Sequence, residues 1–64
     1  MNGAKMAYYM TKKNIKNYEL AEQVGVTKEY ISDLKRGIKT NPTLEVVIKI
    51  ADALGTTIDE IVRP

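Results

Sequence analysis

Residues 17–37 read NYELAEQVGVTKEYISDLKRG, and this stretch decides the fold. Apolar residues fall at Leu20, Ala21 and Val24 and then, beyond Gly25-Val26-Thr27, at Ile31 and Leu34. Spacings of three and four residues mark helices with one buried stripe. Two helices are therefore expected, Asn17–Val24 and Lys28–Arg36. A connection of only three residues makes them cross steeply. The residue types suit that geometry: Ala21 is small where the helices approach closest, and Gly25 can take the positive φ of a helix end. Val26 plugs the gap beneath the turn, and Thr27 offers a hydroxyl as the N-cap of the second helix. Gly37 ends that helix. Each feature is common alone; together and in register they are specific.

On the N-terminal side, Asn2-Gly3 opens a helix running to about Lys13, with Met6, Tyr9, Met10 and Lys13 on one face. Tyr9 is assigned to the core, Tyr8 and Tyr18 to the surface. On the C-terminal side, Ile38 to Pro42 reads as a loop and Thr43 as the cap of a fourth helix. Its buried face is marked by Leu44, Val47, Ile50, Ala51 and Leu54, and Gly55 closes it. Thr57 with Glu60 three residues later is a capping-box pattern opening a short fifth helix. Strand alternation and repeats are missing. The expectation is an all-α, five-helix bundle forming a single domain over residues 1–64.

Composition narrows the function. With 64 residues the chain is near the lower limit for burying its own core, and it has no cysteine to staple it. Histidine is absent too, so ordinary zinc sites and imidazole-based nucleophile activation are excluded. The single serine, Ser32, has no base to activate it. No enzyme, metal site or cofactor is expected. Met6 to Met10 is the longest apolar run, far too short for a signal peptide or a membrane span, so a cytoplasmic protein is expected. Charge is unevenly placed: residues 1–39 carry eight basic and four acidic side chains, residues 40–64 two basic and four acidic. The positive potential on the first part would steer a polyanion there.

The stretch already quoted, followed by NPTLEVVIKIADALGTTIDEIV at residues 41–62, resembles the phage Cro and repressor family of helix-turn-helix proteins, also called the xenobiotic-response-element family. The resemblance runs from about Met6 to Val62. It implies a lambda-repressor-like DNA-binding domain in which the helix Lys28–Arg36 lies in the major groove and the helix Asn17–Val24 sits above the backbone. Members often carry an arginine late in the first helix and a glutamate just before the Arg-Gly that ends the recognition helix, forming an ion pair. Here these positions hold Met10 and Lys35, so neither charge is orphaned. Met10 is expected to pack on the Lys35 stem while the ammonium reaches solvent. Lys16 stands where a capping Ser or Thr is usual. It cannot accept, but it is well placed to meet a phosphate.

Ile31 and Leu34 face inward, so Glu29, Ser32, Asp33 and Arg36 fall on the outward stripe, with Lys28 in the first turn. Lys28 can donate to guanine O6 and N7 or to phosphate; Glu29 and Asp33 can accept from cytosine N4. Lys28, Glu29, Ser32 and Asp33 are the candidate base contacts. Two carboxylates on such a stripe oppose non-specific binding and so favour selectivity. Candidate backbone contacts are Lys16 and Asn17 at the start of the second helix, with Thr27, Arg36, Lys39, Thr40 and Asn41 flanking the recognition helix. Tyr30 either touches a thymine methyl or the sugar-phosphate chain, or packs against the fourth helix.

The expected function is a sequence-specific transcriptional regulator, a repressor, binding double-stranded DNA. One recognition helix reads too few base pairs to find a site, so a homodimer on a near-palindromic operator is expected. The candidate dimer surface is Val46, Ile48, Ile58, Ile61 and Val62; for Ile58 and Ile61 the alternative is that they close the core. The alternative is a protein-interaction module such as an antitoxin. No small-molecule effector is inferred, because the chain has no room for a separate sensing domain.

Overall fold

The computed structural model describes residues 1–64 and contains five helices: α1 (Gly3–Lys13), α2 (Asn17–Val24), α3 (Lys28–Lys35), α4 (Leu44–Leu54) and α5 (Ile58–Val62). The expected all-α, five-helix architecture is the one observed. Four helices start at a side chain that accepts a hydrogen bond from the first turn: Asn2 from Lys5 N–H, Thr27 from Tyr30, Thr43 from Val46 and Thr57 from Glu60. Each such cap stabilises a helix start by about 1 kcal/mol. The exception is α2, where Lys16 offers no acceptor and only the Glu19 carboxylate reaches back, taking the Lys16 backbone N–H at 2.8 Å. Asn14, with φ of 56°, ends α1 in the left-handed conformation.

Twelve residues are buried and all are apolar, among them Met6 and Met10 of α1, Leu20, Ala21 and Val24 of α2, and Ile31 and Leu34 of α3. Val26 packs on this core from the α2–α3 turn, and Gly25, at φ of 86°, donates its N–H to the Ala21 carbonyl. α2 packs on α3 and α4, and α1 lies across α3, α4 and α5. Gly3 comes so close to the end of α3 that a Cβ there would collide with the Leu34 and Lys35 carbonyl oxygens. Asn2 ties the other side, its N–H donating to Ile61 O and its side-chain amide to Arg63 O, both at 2.7 Å.

Four expectations are corrected. Leu44, assigned to the buried face of α4, is exposed, because α4 packs on α1, α2 and α5 but not on α3, which leaves Leu44 uncovered. Ile61, a candidate dimer contact, is fully buried and closes the core beneath α1. Helix α3 stops at Lys35, with Arg36 as its C-cap. The box at Thr57 is half formed: Glu60 donates its N–H to Thr57, but its carboxylate accepts the Tyr9 hydroxyl at 2.8 Å and lies 3.8 Å from the Lys5 ammonium.

Candidate nucleic-acid interface

The two helices of the turn motif present a continuous polar face. On α3, Lys28, Glu29 and Arg36 are exposed, while Ser32 and Asp33 are half-buried. Asp33 is partly covered because the chain after the helix folds back, its carbonyl accepting the Ile38 and Lys39 N–H groups at 2.9 and 3.2 Å. This return brings the Lys39 ammonium to 5.9 Å from the centre of the Tyr30 ring. Tyr30 itself is half-buried against the core and supports the loop through that cation–π contact. Thr40 and Asn41 follow in the exposed loop. Thr27 uses its oxygen as the α3 cap, which leaves its hydroxyl hydrogen free to donate outward.

A second group gathers at the start of α2. Lys16, Asn17, Tyr18, Lys28 and Lys35 line an open groove of about 600 Å³, with buried Met10 beneath it. Lysine side chains therefore line the groove where α2 starts without a side-chain cap. Lone N–H donors, the positive end of a helix and nearby cations suit an anion. No carboxylate forms an ion pair with Lys16, Lys28 or Lys35.

The Lys35 ammonium is a further correction. It does not reach out to solvent along Met10 but donates to Asn17 Oδ1 at 2.9 Å, in a partly buried bond between α3 and α2. Lys35 was absent from the residues picked by sequence reasoning. The signal was there: Lys28 and Lys35 are seven residues apart, two turns on the same side of α3.

The candidate dimer residues lie elsewhere. Ile48, Ile58 and Val62 are exposed on α4 and α5, and Val46 is half-buried against the core. Only Ile61 of the five is withdrawn.

A family model described as "Helix-turn-helix" matches residues 6–61. The HTH-type transcriptional regulator SinR of Bacillus subtilis (strain 168) is 33% identical over 58 residues, which make up 91% of this chain and 52% of SinR. An uncharacterized HTH-type transcriptional regulator of Methanocaldococcus jannaschii is 33% identical over 57 residues, 89% of this chain and 85% of the relative. Among solved structures, SinR in complex with DNA superposes with a TM-score of 0.87 at 31% identity, covering 95% of this chain and 97% of that one. The clp gene regulator ClgR from Corynebacterium glutamicum superposes at 0.85 with 30% identity, covering 92% and 62%. This chain thus spans about half the length of the SinR relative it matches.

Proposed function

Because the chain belongs to the helix-turn-helix family of the Cro and repressor type, we propose that its 64 residues act as one DNA-binding domain of a transcriptional repressor. The helix α3 enters the major groove, where Lys28, Glu29, Ser32 and Asp33 meet base edges. Lys16, Asn17, Thr27, Arg36, Lys39, Thr40 and Asn41 hold the flanking phosphates, with Tyr30 carrying Lys39 toward them. The observation that carries this reading is the lysine-lined, uncapped start of α2 beside the exposed stripe of α3. That SinR was solved in complex with DNA supports the same use of the same fold.

The domain measures 24 × 22 × 20 Å, whereas two half-sites one turn of DNA apart are separated by about 34 Å. A single copy cannot span them. Two copies joined through Ile48, Ile58 and Val62 would bind a near-palindromic operator. No helix is long and apolar enough to cross a membrane, and the reading places the regulator in the cytoplasm with its DNA.

Selection from a random DNA pool, followed by titration of the selected operator at several salt concentrations, tests this. Affinity should fall with a log–log slope of about 0.9 for each phosphate neutralised. Replacing Lys39 with Ala should remove about one such unit and weaken all sequences alike. A module that mainly binds protein would select no sequence and show a slope near zero, and that result would overturn the reading.

A further inference from the structure

The Lys35–Asn17 contact has a direction that geometry alone fixes. An ammonium group only donates, so the carboxamide oxygen of Asn17 must face Lys35 and its two N–H donors must point away. Those N–H groups donate to no protein atom, and the residue is half-buried on the wall of the groove shared with Lys16 and Lys28. The bond is charge-assisted, which makes it stronger than a neutral pair and polarises the amide, so that its free N–H groups become better donors. No carboxylate pairs with Lys35 to draw it elsewhere.

From this arrangement we propose that Lys35 is a positioning residue of the DNA interface. It holds Asn17 so that the amide N–H groups of Asn17 meet a backbone phosphate. The proposal rests on the DNA-binding reading and adds to it a residue that touches no DNA itself. It also gives the position a role that a carboxylate there would abolish, since glutamate cannot donate to the Asn17 oxygen.

The test is a double-mutant cycle on the selected operator, with Lys35→Met and Asn17→Ala singly and together, each variant also followed by thermal melting. Each single change should weaken operator binding roughly fivefold to tenfold, the worth of one hydrogen bond. The double variant should bind no more weakly than Asn17→Ala alone. Lys35→Met should leave the salt slope unchanged, because a positioning residue neutralises no phosphate. Lys35→Arg, whose guanidinium donates to the same oxygen, should keep the wild-type affinity. A slope reduced by about 0.9 in Lys35→Met would make Lys35 itself the phosphate ligand and overturn the proposal. Additive losses in affinity would overturn it too, leaving only a tie between helices. In both cases an intact slope in the wild type preserves the DNA-binding reading, whereas a flat wild-type slope overturns both.

Discussion

The face formed by α2 and α3 and the face formed by α4 and α5 are made of similarly short helices but end in opposite chemistry. On the first, cations gather around a helix start that lacks a cap, and polar side chains stand out from α3. On the second, every helix start is capped by a threonine and the exposed residues include Ile48, Ile58 and Val62. A capped start has one of its free N–H donors satisfied internally. An uncapped one keeps that donor too for something outside, at a cost of about 1 kcal/mol in stability. The contrast separates a charged, polar surface suited to a polyanion from one that leaves apolar side chains uncovered.

The sharpest way to break this comparison lies within α5. Ile61→Asp should unfold the domain, because a buried unpaired carboxylate costs several kcal/mol against a small core. The neighbouring change Val62→Asp should leave the melting temperature nearly unchanged and abolish dimers in sedimentation. It should weaken binding to the two-half-site operator at least tenfold while sparing a single half-site. If Val62→Asp dimerises normally, the second face is not the dimer surface.

A smaller effect is expected on the first face. Glu29→Ala should relax base preference at one operator position, by roughly 1–3 kcal/mol of discrimination, and raise non-specific affinity as a negative charge is removed. Unchanged preference at every position would mark Glu29 as a solvent charge. The smallest effect sharpens the contrast of helix starts. Lys16→Ser should stabilise the fold by about 0.5–1 kcal/mol in denaturant titration, by supplying the missing cap. It should at the same time weaken DNA binding and lower the salt slope. Stability and binding rising together would refute the trade between them.

The helices were legible from short-range signals, because caps and stops act within one turn. Thr27, Thr43 and Thr57 mark starts, and Gly25 and Gly55 mark ends, in sequence as in space. What escaped depends on residues far along the chain. Leu44 continues the spacing of its stripe, but periodicity cannot say where the neighbouring helix runs out. Ile61 and Val62 differ by one position, and which is covered depends on how α5 docks against α1 and α4. Glu60 is taken by Tyr9, 51 positions away, in preference to the local box, and Lys35 finds Asn17 across 18 positions. The positions of the α2–α3 side chains were legible, since they follow from one short turn. The contact of Lys35 was not, since its partner lies on another helix.

The contact at Gly3 bears on how the protein moves. Helix α3 has eight residues, too few to be stable alone in water. Its first turn is fastened by Thr27 and its last carbonyls lie against the backbone of α1. Neither end is then free to fray, so the helix opens only when α1 lifts away, and α1 is held in turn through Asn2 to the chain beyond α5. Slow amide exchange in α3 should therefore track the opening of the whole domain. The helix would meet its partner already ordered, with little conformational entropy left to lose on contact.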